Sequence, residues 1–524
     1  MTTARYQTGD GQFIQPQPVV LTDSSGAASG ALTNPSFVTF PSRYQDVTGR
    51  RKMSFSQNIY EADFEYGLQP LRWEAYTVGS GTITSQPGSG GVRMTISALG
   101  DVTIRQSRPY HRYQPGKTLY MATACNFGGA VTGQRQRVGF FDDGNGIFFE
   151  QADPTATNPF GMFVVYRSDI GGVPFDTRIS FEQWSDPNNI KTTLNWSLIQ
   201  MLWIEFAWYG AGGLRWGVVI NGEPYIMHQV GAGNNLSQPW SRTGNLPVRY
   251  EQRNVSVAAA STFFHYGVSV LVEGRVDPQR GFTYGYGMAN GTPLRTVAAT
   301  TTRFPLLSFQ YRPMGTQEYT QAGAAVTAGT TTGMTVAGTP WTANQWVGRY
   351  VYFPGLGVIG SGAMARISAN TTSTLTFADN IIGGPIATAP GAGASYTIGI
   401  INRGQLLPQT LLLSSTAAVT LELISSSVTS PVVLTGASFV PLATLGSAQS
   451  FALRDVTATA MTGGEVVYNA PAPSGALQNY DLSNFFPLYN TIRGNAPDTL
   501  TIAISTGAAS AQVGCSVVCQ EAMS

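Results

Sequence analysis

Apolar and polar residues alternate over much of the chain, most clearly in residues 202–229. Leu202, Ile204 and Phe206 fall on one face of this stretch, and the intervening residues fall on the other, because side chains alternate along a strand. Asn221-Gly222 is a strong hairpin signal, since both central residues of a type I′ turn need positive φ. The pattern predicts three consecutive antiparallel strands at the centre of a large β-sandwich.

Changes in this pattern along the chain divide it into four predicted parts. Residues 1–54 are polar, aperiodic and rich in Gly, Ser and Pro, which indicates an extended N-terminal arm. Short alternating segments separated by turn residues then favour a β-sandwich domain over 55–300. A stretch rich in Thr, Gly and Ala predicts a small β module at 322–400, before a C-terminal β domain at 401–524. The expected fold class is all-β: an antiparallel, jelly-roll-like β-sandwich, a small β-barrel-like insert and a C-terminal β domain.

The amino-acid composition argues against several classes of function. Charged residues make up 11% of the chain, far below the ~25% of an ordinary soluble domain. The net charge of +1 gives no sign of a nucleic-acid-binding surface. Nearly all positive charge is arginine, which suits fixed ion pairs and planar contacts. We see no apolar run long enough for a membrane span, no signal peptide and no motif that calls for a cofactor.

Three cysteines, Cys125, Cys515 and Cys519, are too few and too scattered for a disulfide framework. We expect them to be small buried hydrophobic residues without a metal, since a metal site would need further ligands. The segment from Asp142 to Gly146 offers oxygen ligands, but its spacing departs from a calcium loop at Gly144. A hairpin turn is the favoured interpretation of that segment.

One carboxylate cluster raises an enzymatic hypothesis. Glu61, Asp63 and Glu65 alternate on a predicted strand, in a segment, YEADFEYG, that resembles the E-x-D-x-E strand of jelly-roll glycoside hydrolases. Such an enzyme needs one carboxylate as nucleophile and a second as acid and base. The alternative is an acidic strand face that pairs with arginines such as Arg72.

Aromatic residues in or near long loops are a second functional signal. Trp184, Trp196, Tyr209 and Trp240 are candidate glycan-binding residues, because aromatic faces stack on the C–H faces of sugars. The alternative is that these rings are buried against a neighbouring subunit or an adjacent loop.

Several longer segments resemble virion structural proteins of tailed phages. They are SQNIYEADFEYGLQPLRWE, VGFFDDGNGIFFEQ, VVYRSDIGG, FAWYGAGGLRWGVVINGEPYIMHQ and the C-terminal DTLTIAIST…VGCSVVCQEAMS, together with a Thr/Gly-rich module similar to inserts of phage tail and fibre proteins. The resemblance covers most of residues 55–524. It implies a tail, baseplate or fibre component, assembled in the host cytoplasm and located in the virion. It also implies a homotrimer, and we expect the N-terminal arm to dock on other virion proteins.

Three functions of different classes remain at this stage. The favoured hypothesis is a structural virion component that acts through subunit contacts and host attachment. The first alternative is a glycan-binding receptor module with a host surface glycan as partner. The second alternative is a glycoside hydrolase that uses Glu61, Asp63 and Glu65.

Overall fold

The computed structural model describes most of the chain after residue 55. The described ranges are 6–7, 13–14, 46–47, 56–209, 212–231, 236–274, 281–287, 295–298, 302–320, 324–354, 356, 363–378, 386–426, 430–442, 444–445, 448–450, 452–493, 497–507 and 510–522. Two short strands in the N-terminal segment, β1 (Tyr6–Gln7) and β2 (Phe13–Ile14), pair with each other. The rest of the predicted arm, apart from residues 46–47, lies outside the described residues.

The first large unit is a β-sandwich of two antiparallel sheets. Its strands are β3 (Ser56–Ala62), β4 (Trp73–Val78), β5 (Thr82–Gln86), β6 (Gly91–Ile96), β7 (Val102–Ser107), β8 (Leu119–Asn126), β9 (Gln134–Phe141), β10 (Gly146–Gln151), β11 (Met162–Ser168), β12 (Phe175–Ser180), β13 (Gln200–Phe206), β14 (Gly213–Ile220), β15 (Glu223–Gly231), β16 (Val248–Asn254) and β17 (Ser261–Glu273). Single turns of 3-10 helix occupy Phe181–Gln183 and Lys191–Thr193. The predicted all-β class is confirmed.

The two sheets of the sandwich share one hydrophobic core. The front sheet has the strand order β12-β11-β10-β9-β16-β7-β4. The back sheet has the order β15-β14-β13-β8-β17-β6-β5, with β3 paired to β17. Val138 and Phe140 of the front sheet meet Leu202, Ile204 and Phe206 of the back sheet in this core. Burial of such side chains contributes about 25 cal/mol per Å² of apolar surface and drives the packing of the sheets.

The predicted meander is present as β13, β14 and β15, but it forms one side of the back sheet and not its centre. Its second turn is Asn221-Gly222, and both residues have the predicted positive φ, 51° and 84°. A bulge opposite Trp216 and Gly217 shifts the register of β15. Ile226 and Met227 are therefore both buried, so strict alternation fails in the third strand.

The C-terminal domain is assembled from two separate parts of the chain. Its strands are β18 (Phe282–Gly287), β19 (Arg295–Val297) and β20 (Phe304–Tyr311), and, after an insert with seven strands of its own described below, β28 (Gln405–Ser415), β29 (Val419–Ser425), β30 (Val433–Thr435), β31 (Val440–Pro441), β32 (Thr444–Leu445), β33 (Ala448–Gln449), β34 (Ala452–Asp455), β35 (Ala460–Thr462), β36 (Glu465–Ala472), β37 (Gln478–Asp481), β38 (Thr499–Ser505) and β39 (Ala511–Ala522). We expected the sandwich to extend over 55–300, but β18 and β19 pair with β39. Likewise β20, which precedes the insert, lies inside a six-stranded sheet between β34 and β38.

The insert between β20 and β28 is a module with its own core. Its strands are β21 (Met314–Thr320), β22 (Val326–Thr330), β23 (Gly333–Val336), β24 (Tyr350–Phe353), β25 (Ala363–Asn370), β26 (Thr374–Phe377) and β27 (Thr397–Ile401). They form one sheet in the order β21-β27-β24-β25-β26-β23-β22 around aromatic side chains that include Trp341, Trp346 and Tyr396. Among the described residues the end strands β21 and β22 do not pair, so the sheet is open and does not close into a barrel.

Buried ion pairs join the module to the sandwich. Asp169 of the sandwich accepts hydrogen bonds from Arg242, with an Nη2–Oδ2 distance of 2.7 Å. Arg366 of the module lies 3.4 Å from the same carboxylate and also donates to the carbonyl oxygen of Gly172. The Arg242 guanidinium donates in turn to the carbonyl oxygen of Gly348 in the module. The contact between the two units is thus built from a few polar groups around Asp169 and Gly172.

A second set of polar contacts joins the sandwich to the C-terminal domain. Arg403 pairs with Asp142 at 2.9 Å, and the other oxygen of Asp142 accepts from the backbone N–H groups of Gly144 and Asn145. The segment that could have been a calcium loop is therefore a turn that anchors a domain contact. Arg108 and Asp498 form a further pair at 2.6 Å.

Candidate functional site

The predicted E-x-D-x-E strand is shorter than expected. Strand β3 ends at Ala62, so Asp63 and Glu65 lie beyond it. Ala62 and Phe64 point into the core, which leaves Glu61, Asp63 and Glu65 exposed to solvent. Arg72 donates to the backbone oxygen of Glu61 and not to its carboxylate. The three carboxylates therefore sit on an outer edge, where no enclosed substrate site surrounds them.

The three candidate tryptophans lie in the sandwich core. Trp184, Trp196 and Trp240 are at most 4% exposed, and each indole N–H donates to a backbone carbonyl oxygen. A buried indole N–H needs such a partner, which explains why these rings can pack inside loops. The expectation that these rings are available to a glycan is thus wrong for all three. Tyr209 is 51% exposed and stacks on Trp208, so it alone of the four presents a ring face to solvent.

The outer face of the front sheet carries a ladder of buried charges that the sequence pattern did not reveal. Glu150, Arg137 and Glu251 lie directly opposite one another on β10, β9 and β16. The Arg137 guanidinium donates to Glu150 at 2.6 Å and to Glu251 at 2.9 Å. Arg178 pairs with the second oxygen of Glu150 at 2.6 Å. This is the fixed, planar use of arginine that the composition predicts.

The electrostatics of this ladder bear on acid catalysis. Burial raises the pKa of Glu251, but the charges of Arg253, Arg137 and Arg249 outweigh burial and hold that pKa far below its usual range. Glu251 therefore stays ionised at every physiological pH. A glycosidase general acid needs the opposite environment, one that keeps a carboxyl group protonated.

A large cleft lies between the sandwich and the C-terminal domain. Its volume is about 1110 Å³, slightly above the roughly 300–1,000 Å³ of ligand pockets. One wall consists of β3, the turn after Gln69 and the segment 109–114. The other wall consists of Gln405 and the loop 484–489. The backbones of Leu406 and Leu488 bond to each other in both directions and hold this loop in place.

The lining of the cleft combines aromatic rings with side-chain amides. The rings are Tyr60, Tyr110, Phe485, Phe486 and Tyr489, and the amides are Gln57, Asn58, Gln69, Gln114, Gln405 and Asn484. Arg72 lies over the Tyr60 ring at 4.7 Å, and the Tyr60 hydroxyl lies 3.4 Å from the Arg72 carbonyl oxygen. Phe485 and Phe486 lie side by side, with ring centroids 5.8 Å apart. The cleft thus presents apolar faces beside side-chain amides, and Arg72 and Arg112 also belong to its lining.

The cleft contains few groups that could exchange a proton. Among the described residues that line it there is no aspartate or glutamate. Burial lowers the pKa of His111 to about 3, so this imidazole is neutral at physiological pH. The surface can hold a ligand through stacking and hydrogen bonds, but it offers no carboxylate pair for bond cleavage.

The cleft could not be found from the sequence because its two walls come from segments at least 291 residues apart, the separation between Gln114 and Gln405. The only local signal is Asn484-Phe485-Phe486-Pro487, an aromatic pair in a polar loop, which our sequence analysis did not single out. Across the described ranges no group of three or more His, Cys, Asp or Glu side chains could hold a metal ion. In the same ranges, no helix has the length and apolarity to cross a membrane.

Comparisons with known proteins give matches of fold only. No family model matches the sequence, and no curated protein matches it. Similar solved structures include a glycosyl hydrolase family 16 protein from Mycobacterium smegmatis, with TM-score 0.28 and 8% identity over 41% of this chain and 100% of that one. The legume lectin-like domain from Entamoeba histolytica matches with TM-score 0.25 and 12% identity over 40% and 95% of the chains. A β-1,3-glucanase from Mycobacterium marinum matches with TM-score 0.27 and 10% identity over 41% and 98%. The function of this chain therefore has to be argued from its own residues.

Proposed function

We propose that this chain is a non-catalytic binding protein whose interdomain cleft takes a neutral glycan. The observation that carries the proposal is the lining of the cleft, which joins five aromatic rings to six side-chain amides and two arginines, Arg72 and Arg112, without a carboxylate among its described residues. Sugar rings present C–H faces that stack on aromatic rings and hydroxyl groups that bond to amides. The volume of about 1110 Å³ is large enough for several sugar units.

The hydrolase alternative receives less support from the geometry. Glu61, Asp63 and Glu65 are exposed and do not line the cleft. The buried carboxylates of Glu150 and Glu251 are bound to arginines on another face. Cleavage of a glycosidic bond needs two free carboxyl groups on either side of the bond, one of them protonated. Binding without cleavage is the simpler use of the cleft.

A glycan array with matched variants tests this proposal. We expect the wild-type protein to bind a set of neutral oligosaccharides, and Phe486→Ala to bind them about tenfold more weakly because one stacking surface is lost. Phe282→Ala is the control, since Phe282 is exposed in the same domain but does not line the cleft. Equal loss in both variants, or no neutral ligand on a broad array, would count against the cleft.

A structural role in a phage virion is a second candidate, and exposed apolar side chains favour it. Leu198, Ile199 and Met201 lie close together in sequence at the start of β13 and are each about half exposed. Apolar surface of this kind is typical of subunit interfaces. We propose that copies of this chain assemble as a trimer and that the N-terminal arm docks on other virion proteins, as the sequence resemblance implies. Light scattering that shows a monomer at micromolar concentration would contradict the trimer.

A further inference from the structure

Two arginines face each other on the outer face of the front sheet. Arg135 of β9 lies directly opposite Arg253 of β16 in the antiparallel register. Side chains in such positions have Cβ atoms about 4.5–5.5 Å apart, and like charges there destabilise the sheet. Arg253 is held by Glu251 at 3.2 Å. Arg135 is half-buried and makes no ion pair or hydrogen bond with any described residue.

Positive charge is in excess on this part of the face. Arg135 and five ion-paired arginines share four carboxylates, which leaves a surplus of two positive charges; the paired arginines are Arg137, Arg167, Arg178, Arg249 and Arg253, and the carboxylates are Asp143, Glu150, Asp176 and Glu251. Of these six arginines, Arg135 is the one that forms no ion pair with a described residue.

Burial and neighbouring charges reinforce this picture. Burial lowers the pKa of Arg135 and outweighs the attraction of Glu150, while repulsion from Arg137 and Arg178 lowers it further. A negative group placed between these guanidiniums would remove the repulsion. The exposed parts of Arg178 and Arg253 leave room for such a group to approach from solvent.

We propose that Arg135, Arg178 and Arg253 form a binding site for an oxyanion, namely the carboxylate or sulfate group of an acidic glycan. Guanidinium groups present paired N–H donors that match these groups, and the resulting charge-assisted bonds are among the strongest hydrogen bonds in proteins. The site lies on a different surface from the cleft, so it extends the proposed function and does not depend on it. A free inorganic anion has the same chemistry and is the alternative source of the ligand.

Thermal unfolding with sulfate at constant ionic strength tests the site. We expect the melting temperature of the wild-type protein to rise saturably with sulfate relative to chloride. Arg135→Gln should abolish this rise and should itself unfold at a higher temperature than wild type without sulfate, because the Arg–Arg repulsion is gone. Arg93→Gln is the control, since Arg93 is exposed on the back sheet away from this face. Arg135→Lys replaces Arg135→Gln in this test if the glutamine variant does not fold. The lysine variant should bind sulfate about tenfold to a hundredfold more weakly than the wild-type protein.

Direct titrations identify the source of the oxyanion. Heparin-derived and polyuronate oligosaccharides should bind at least tenfold more tightly than inorganic sulfate, and the Arg135 variants should lose this difference. Equal affinity for sulfate and for the acidic oligosaccharides would overturn the assignment to a glycan, as would a preference for duplex DNA. A sulfate response that is the same in wild type and Arg135→Gln would overturn the site itself. Phe486→Ala should leave the binding of acidic oligosaccharides unchanged even where it abolishes binding in the cleft. The two proposals can therefore be refuted independently of each other.

Discussion

Arg137 illustrates how single residues stabilise this fold. Its guanidinium is almost fully buried between Glu150 and Glu251 and also lies 5.5 Å from the centre of the Phe148 ring. Burial of these charges removes their favourable hydration, and the ion pairs between them must offset that loss of free energy. Both glutamates pair with this arginine, so its loss would leave Glu150 with Arg178 alone and would remove the closest ion pair of Glu251.

Replacement of Arg137 is therefore expected to be costly. Arg137→Ala should destabilise the protein by about 3–5 kcal/mol, the usual cost of breaking a buried ion pair. The measurement is unfolding in urea, monitored by tryptophan fluorescence. The tryptophans in the described part of the sandwich should change their fluorescence when this unit unfolds. Arg93→Ala, at an exposed position, should change stability by less than about 0.5 kcal/mol. Similar effects of the two substitutions would refute the account of the ladder.

At the scale of elements, the contact between strand β4 and the loop before β38 contains a titratable group. The Glu74 carboxylate accepts a hydrogen bond from the backbone N–H of Ile492 at 2.8 Å. Burial raises the pKa of Glu74 from 4.5 to about 7, against the attraction of Arg108. Between pH 4.5 and about 7, Glu74 is therefore protonated in the folded protein and ionised in the unfolded chain.

This difference predicts how stability depends on pH. Stability from Glu74 is fully present below pH 4.5 and is lost as the pH rises through about 7. Glu74→Gln keeps an acceptor for the Ile492 N–H but cannot ionise, so its melting temperature should fall less than that of wild type between pH 5 and about 8. The Asp498 carboxylate, whose pKa burial also raises, is present in both proteins, and its charge contributes to the raised pKa of Glu74. Parallel pH profiles for the two proteins would refute this interpretation.

The joint between the sandwich and the inserted module depends on one carboxylate. Asp169 is buried and contacts Arg242 of the sandwich and Arg366 of the module. Asp169→Asn removes the charge that both guanidiniums share and should lower the melting temperature of the intact chain by several degrees. In a chain without residues 322–400, the same substitution should have a smaller effect, because Arg366 is absent. An equal effect in the intact and the shortened chain would show that the contact between Asp169 and Arg366 contributes nothing to stability.

At the scale of the whole molecule, alternation and turn signals were enough to predict an all-β chain and the three strands of the meander. They could not predict which sheet each strand joins, since β20 pairs with strands more than 140 residues away. Nor could they predict the burial of Trp184 and Trp196, because it depends on packing in the sandwich core and on carbonyl partners five residues earlier that the loop conformation brings to each indole. The cleft was hidden for the same reason, because residues near Tyr60 and near Phe486 meet only after the domains pack together.

The central claim is that the cleft binds a neutral glycan without cleaving it, and one calorimetric titration tests it most directly. The best neutral oligosaccharide from the array is titrated into the wild-type protein and recovered afterwards for chromatography. We predict saturable binding at one site per chain, weakened about tenfold by Phe486→Ala, and an oligosaccharide of unchanged length after overnight incubation. Shortened products that vanish in Glu61→Gln or Glu65→Gln would contradict the account, and so would binding that Phe486→Ala leaves unchanged.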